Sequence, residues 1–482
     1  MFIGIDIGTS EVKALLLAPD HRVLGTAGAA LTVQRPHPGH SEQHPHDWWA
    51  ATQSALAQLR AAHPLEFAAV QAIGLSGQMH GAVLLDAHDR VLRPAILWND
   101  TRCAAECDEM MAALPTLPDL AGSLAMPGFT APKLRWVARH EPEIFQQVAK
   151  VLLPKDYVRR MLTGEYACDM SDASGTLWLD VQQRDWSDAL LALTGLNRSH
   201  MPRLVEGSAP GGTLKADVAQ ALGLPAGIVV AGGAGDNAAS AVGMGAVDAG
   251  QGFLSLGTSG VLFVVTPSCQ PNAASATHAF CHAVPGRWHQ MSVMLSAASS
   301  LQWVADLLGA PGAGVVAEKA AALGAAQRAA APLFLPYLGG ERTPHNDAHV
   351  RGSFHGLSFD TDAASLGYAV IEGVSFGLKD GLAALKAAGS SVQRLSLVGG
   401  GARSAFWAQQ LASALDVEIV THGSSAVGGA LGAARLGWLA TGAAQAEVCR
   451  SPEVHATFRP DPAEQTLLLE RYARFRSLYS RV

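Results

Sequence analysis

Two stretches carry one pattern: Ile5-Asp6-Ile7-Gly8-Thr9-Ser10 near the start, and Leu254-Ser255-Leu256-Gly257-Thr258-Ser259 past the middle. In each, alternating apolar residues give way to Gly-Thr-Ser and resume as Val12 to Leu17 or Val261 to Val265, the pattern of a β-hairpin with a small polar turn. Such a turn offers unobstructed backbone N–H groups to an anion, because glycine lets the backbone approach closely and Thr and Ser add hydroxyls. Two copies predict duplicated architecture and phosphates gripped from two sides. Aligned, Asp6 falls on Ser255, so only one copy carries a carboxylate.

Outward from the hairpins, apolar β-rich runs (Ala72 to Leu75, Val83 to Leu85, Ile228 to Ala231, Leu395 to Val398) alternate with Ala-rich helical ones (Asp47 to Ala62, Ala297 to Leu308, Phe406 to Leu415), the signature of an α/β chain. At 482 residues the chain exceeds one core. Gly-rich text from Gly232 through Gly252 separates the hairpin-bearing halves, and a boundary near 245 gives domains 1–245 and 246–482. A cleft between them is the expected ligand site. A formal net charge of -7 with scattered basic residues excludes a nucleic-acid footprint. Six dispersed Cys without metal-ligand spacing fit a reducing compartment; Cys103 and Cys107 read as one helix face. No stretch approaches a membrane span, and Asp6 interrupts the first apolar segment, so a soluble, cytoplasmic protein without a signal peptide is expected. The four His of His37 to His46 sit around three prolines, Pro36, Pro38 and Pro45, and read as a loop before a helix start.

In the first hairpin Ile3, Ile5 and Ile7 share one strand face, so Gly4, Asp6 and Gly8 share the other. Asp6 is expected on a face cleared of side chains. A carboxylate beside a phosphate turn calls for a cation between them, and Mg2+ bridging to nucleotide phosphates meets that need better than a carboxylate capping its own turn. Lys13 has two readings, a phosphate contact or a solvated strand residue. Asp236 and Asn237 follow a strand and glycines, where Asp236 reads either as a general base, with Asn237 orienting a hydroxyl, or as a helix N-cap. Gly233-x-Gly235-x-x-Ala238 matches the loose dinucleotide fingerprint, but Asp236 would put negative charge into that pocket. The glycines Gly399, Gly400 and Gly401 suit a flat ligand lying on backbone or a tight strand-to-helix turn. No P-loop, H-R-D or partnered G-x-S-x-G motif occurs.

Further segments complete the pattern: Ser41-Glu42-Gln43 with Trp48-Trp49, Gly77-Gln78-Met79-His80-Gly81, Leu97-Trp98-Asn99-Asp100, Met126-Pro127-Gly128-Phe129-Thr130-Ala131-Pro132-Lys133, Leu153-Pro154-Lys155-Asp156-Tyr157, Gly235-Asp236-Asn237, and Phe334 to Leu338 with Glu341-Arg342-Thr343-Pro344. Over nearly its whole length the chain resembles the FGGY family of carbohydrate kinases. The resemblance implies an α/β fold of two duplicated actin-like (ribonuclease-H-like) ATPase domains with a cleft between them. It implies ATP and Mg2+ as cofactors, a small-molecule sugar as substrate, and suggests a homodimer. Carried over, it makes Asp236 the catalytic base and puts Met79, His80, Trp98 and Asn237 at the sugar. Asp6 would serve Mg2+; Gly8, Thr9, Ser10 and Lys13 would lie near the phosphates from one side, Gly257 and Thr258 from the other. Gly400 and Gly401 would line the adenosine.

Glycerol-specific members carry Arg-Glu at Met79-His80 and Gln at Asn237, so the resemblance points from glycerol to a ketopentose: D-xylulose, phosphorylated on its 5-hydroxyl, or ribulose or L-xylulose as siblings. Two departures from the family pattern, Ser365 and His44, are expected to touch helix capping rather than chemistry. Closure of the domains on the sugar, excluding water, is expected. An actin- or chaperone-like ATPase would leave the Met79-His80 and Asp236-Asn237 pairs without a task, and a sugar sensor would need a DNA-binding appendage.

Overall fold

Ile3, Ile5 and Ile7 are fully buried, and each such side chain contributes about 1.5–3 kcal/mol of apolar burial to the face they share. They lie on β1 (Phe2–Ile7), which pairs antiparallel with β2 (Glu11–Leu17), itself paired antiparallel with β3 (Val23–Ala30). On its other edge β1 runs parallel to β4 (Ala72–Gly77), and β4 parallel to β5 (Val229–Ala231). The second half repeats this order. There β6 (Gly252–Leu256) pairs antiparallel with β7 (Gly260–Thr266), and β7 antiparallel with β8 (Trp288–Met294). Outward on the other side run β9 (Arg394–Val398) and β10 (Glu418–His422), both parallel. Each sheet totals seven strands.

This computed structural model describes residues 1–423 and 428–479, so positions 424–427 and 480–482 of the expected second domain lie outside the described residues. The predicted strands and helices form: Pro45–Ala62 and Ala405–Leu415 are helices, as are α1 (Asp236–Gly243), α2 (Ala298–Leu307), α3 (Ala363–Ala387) and α4 (Gly428–Leu439). His44 occupies the N-cap of Pro45–Ala62 without a side-chain capping bond, whereas Ser365 joins Asp362 in a capping box at the start of α3. All six cysteines are free. Among the described residues no helix is long and apolar enough to cross a membrane.

One expectation is corrected. The Gly4 face of β1 is not open: α4, from the far end of the chain, lies on it. A Cβ at Gly4 would stand 1.9 Å from the Ala430 carbonyl oxygen, and one at Gly74 only 1.7 Å from that of Ala433. The glycines on this face admit a helix rather than clear space for a ligand. The same helix crosses α1, where a Cβ at Gly432 would come within 1.7 Å of the Ala239 carbonyl. Phe2 stacks on Trp438 at 4.7 Å. The C-terminal half thus sends one helix back onto the N-terminal sheet.

Candidate active site

Both hairpin turns expose backbone donors, but they are anchored differently. In the first, Gly8 N–H closes the turn on the Glu11 carbonyl, and the Thr9 hydroxyl is already committed. It donates to Gln78 Oε1 (3.0 Å) and accepts from Trp98 Nε1 (2.9 Å). Gln43 steadies the turn by donating to the Thr9 carbonyl, and Gln78 by donating to the Gly8 carbonyl. The donors left open are the N–H groups of Thr9 and Ser10 and the Ser10 hydroxyl. In the second turn the Gly257 and Thr258 carbonyls accept from Ala298 and Ala297 N–H at the start of α2 (2.8 and 2.9 Å), which leaves the Thr258 and Ser259 N–H groups open. Backbone N–H groups presented this way form a cradle for anions.

Asp6 points from β1 toward the first turn of α4. Its Oδ1 accepts from Ser76 Oγ at 2.9 Å, and a Cβ at Gly429 would lie at that same distance from it. Burial raises its pKa, with the Ser76 hydrogen bond opposing. Lys13 stands directly across the hairpin from Asp6, 41% exposed, and pairs with Glu11 at 3.2 Å. Asp236 is the first residue of α1, one position past the N-cap Gly235, so it does not cap the helix. Its Oδ1 accepts both the Asn237 N–H (2.7 Å) and Asn237 Nδ2 (3.0 Å), while its other oxygen has no partner among the described residues. Asn237 thus orients the carboxylate itself. Burial, joined by the negative charge of Asp6, pushes the Asp236 pKa up to about 6. A carboxyl with one free oxygen and a pKa near neutrality is suited to accept a proton.

Asp236 opens into a cavity of about 320 Å³ that also contains Met79, His80, Trp98 and Asn237. All of the predicted sugar residues therefore meet in one place. His80 adopts a left-handed backbone (φ 72°), held by Thr130 Oγ1 and Lys133 Nζ donating to its carbonyl, and its Nδ1 lies 2.6 Å from the Gly175 carbonyl oxygen. Burial drops its pKa to about 3, so the imidazole is neutral. Gly400 and Gly401 lie elsewhere, in a second cavity of about 630 Å³ walled by Leu301, Ala313 and Phe406. Gly401 sits tight against Leu256, a Cβ there meeting its side chain at 2.4 Å, so close packing on β6 explains that glycine. Ala298 joins this cavity to the second turn: it lines the former, and its N–H holds the Gly257 carbonyl. A ligand with a flat apolar end in the larger cavity and phosphates at that turn would span one helix end.

Sequence reasoning missed the far wall of the smaller cavity. Ser255, Ser259, His278 and Arg342 line it from the second half, alongside Phe129 and Phe280. The stretch containing Arg342 was part of the family pattern, yet no local signal marked it as facing Asp236.

The family model for the N-terminal domain of the FGGY family of carbohydrate kinases matches residues 1–243, and that for the C-terminal domain matches residues 252–441. The xylulose kinase of Escherichia coli (strain K12) is 51% identical over 484 residues, covering 100% of this chain and 99% of that protein. Among solved structures, the xyloylose kinase from Brucella ovis superposes with a TM-score of 0.97 at 51% identity, covering 100% of this chain and 99% of that one. The xylulose kinase from Rhodospirillum rubrum gives 0.93 at 29% identity, covering 100% and 98%. Two repeated sheets, two turns with open backbone N–H groups and a cavity lined by Asp236 thus coincide with a match over both halves: the chain belongs to the FGGY family of carbohydrate kinases, and is an ATP-dependent sugar kinase.

Proposed function

We propose that this kinase transfers the γ-phosphoryl group of ATP to the 5-hydroxyl of D-xylulose, giving D-xylulose 5-phosphate and ADP. The observation that carries the reading is the Asp236 carboxylate, with one oxygen free, in the same cavity as Met79, His80, Trp98 and Asn237. The full-length relatives named for xylulose support the choice of sugar. Asp236 takes the proton of the 5-hydroxyl as its oxygen bonds to the γ-phosphorus, and the bond from that phosphorus to the bridging oxygen of ADP breaks, its electron pair leaving with ADP. The Thr9, Ser10, Thr258 and Ser259 N–H groups hold the phosphates, and the cavity at Gly400 and Gly401 takes the adenosine.

Among the described residues no cluster of three or more His, Cys, Asp or Glu exists that could cage a metal alone. Asp6, with Oδ1 on Ser76 and Oδ2 without a partner among the described residues, fits Mg2+, which binds through one or two carboxylates plus substrate phosphates and waters. Asp6 would hold it, and its charge, when bound, neutralises the phosphates. Lys13, across the hairpin, would lend a further positive charge. Taken as domains 1–245 and 246–482, the halves close on the sugar and exclude water from the γ-phosphoryl group. The deciding experiment is ATP-dependent phosphorylation of both xylulose enantiomers, ribulose and glycerol, ranked by kcat/KM, with the phosphorylated carbon assigned by NMR. D-Xylulose phosphorylated at C5 is expected to rank first; ribulose, L-xylulose or glycerol ahead by about tenfold, a difference of about 1.4 kcal/mol, would replace the substrate.

A further inference from the structure

The second-half wall of the smaller cavity carries a single permanent cation. Arg342 lines it together with Ser255 and Ser259 of the second hairpin, facing Asp236 and the two histidines His80 and His278. Its main chain is pinned. Glu341 exchanges backbone hydrogen bonds with Asp347 at 2.8 Å, Thr343 N–H donates to the Val293 carbonyl, and Thr343 Oγ1 accepts from Val293 N–H and donates to the Ala276 carbonyl. One oxygen of the neighbouring Glu341 carboxylate, Oε1, accepts from the Leu295 and Arg342 backbone N–H groups at 3.0 and 2.7 Å. Yet the Arg342 guanidinium makes no hydrogen bond or ion pair among the described residues; burial lowers its pKa, and the charge of the adjacent Glu341 only partly opposes that.

That combination is unusual energetically. A largely desolvated guanidinium without a hydrogen-bonded partner is costly: Arg471 is paired with Glu372, Arg102 with Asp100 and Glu42 and Arg159 with Asp156, and the buried Arg435 donates to the Val242 and Gly243 carbonyls. A pinned backbone presenting a guanidinium without a hydrogen-bonded partner to a cavity suits an anion receptor, and guanidinium geometry matches phosphate oxygens in pairs. Neither histidine competes for the anion, since burial and the Arg342 charge itself hold both neutral. The sugar is uncharged, so hydroxyls alone would leave the charge uncompensated. The one anion that passes between Asp236 and the second turn is the phosphoryl group in transfer.

We propose that Arg342 grips the γ-phosphoryl group as it moves from ADP to the sugar, and then the phosphate of the product. This assignment rests on the phosphoryl-transfer reading of the cavity but not on which ketopentose fills it. Arg342 leaves proton transfer to Asp236. Its charge is directed at the equatorial phosphoryl oxygens, on the side opposite the base, and it enters the reaction from the other half of the chain.

The test compares the full-length parent with R342M and R342K, by calorimetric titration with D-xylulose and, separately, with D-xylulose 5-phosphate. R342M is expected to lose at least about tenfold in affinity for the sugar phosphate while its affinity for the free sugar stays within about twofold, with R342K intermediate because it keeps charge without the fork. Its kcat should fall about a hundredfold or more with sugar KM nearly unchanged. Equal losses for sugar and sugar phosphate would make Arg342 a sugar contact and overturn the proposal, as would unchanged sugar-phosphate affinity. If R342M fails to fold, R342K decides alone, through a weakened ratio of sugar-phosphate to sugar affinity. If the parent prefers another ketopentose, the substrate reading fails, and the same titrations with that sugar and its phosphate still test Arg342.

Discussion

The two hairpins share strand order, pairing and turn sequence, yet two positions and the anchoring of the turn differ. Asp6, facing Lys13, is replaced by Ser255 facing Val261. Gly4, which admits α4, is replaced by Phe253, whose ring stacks on Phe263 at 5.0 Å. The carbonyls of the second turn are tied to α2, while the first turn is steadied by Gln43 and Gln78 and by the Trp98 indole. Duplication supplied two turns with open backbone N–H groups. Divergence left the carboxylate of Asp6 in one copy only, and the cavity shared by the two halves carries Asp236 from the first and Arg342 from the second.

The base gives the largest way to test that division. D236N should lower sugar-dependent kcat about a thousandfold, within the range of a lost general base, while D-xylulose still binds by calorimetry. Near-normal turnover at saturating sugar would remove Asp236 from the reaction. Next, D6S makes the first turn resemble the second; kcat should fall about a hundredfold, not restored by raising Mg2+, as expected for loss of one preorganised charge-stabilising group. Full activity in D6S would make that carboxylate a support for the start of α4 instead. Converse in design, S255D places a carboxylate in both turns and should raise the KM for ATP about tenfold by repelling phosphate.

G4A addresses the face rather than the turn. Its methyl has no room beneath α4, so the substitution should destabilise the protein by about 1–3 kcal/mol, seen as an earlier denaturant midpoint. Tolerance of G4A would mean that α4 shifts easily on the sheet. The smallest effect is in pH. Asp236 must be ionised to act, so kcat/KM for the sugar should fall as pH drops through about 6, and in D6S that limb should move to lower pH because the Asp6 charge is gone. Stability runs the other way. The folded state holds the Asp236 proton more tightly than an unfolded carboxylate near 4, so the ionised form costs stability above about 6. D236N should therefore melt higher than the parent above about pH 6, with the gap closing as pH falls from about 6 to about 4.

Much of this was legible because it is local. Alternation through Ile3, Ile5 and Ile7 specifies a strand, Gly-Thr-Ser a tight polar turn, and Asp236 after a strand and glycines a carboxylate at a helix start. The reason for Gly4 was not legible, since its neighbour Ala430 lies more than four hundred positions away in the chain. Nor was the commitment of the Thr9 hydroxyl to Gln78 and Trp98, which removes it from the set of free donors. Asn237 read as a partner for a substrate hydroxyl, but only coordinates reveal that it holds Asp236 itself.

The sequence by itself determined two α/β halves built on repeated hairpins, the single carboxylate among the turns, and the residue types needed for phosphoryl transfer to a sugar. Those features follow from periodicity and turn chemistry, which act over a few residues. Tertiary structure alone decided that α4 returns to the first sheet, that polar and aromatic residues distant in the chain line one cavity with Asp236, and that Arg342 lines that cavity without a hydrogen bond or ion pair among the described residues. The physical reason is that burial, desolvation and charge compensation are properties of surroundings. A chain segment does not carry its surroundings with it; the fold assembles them from distant residues.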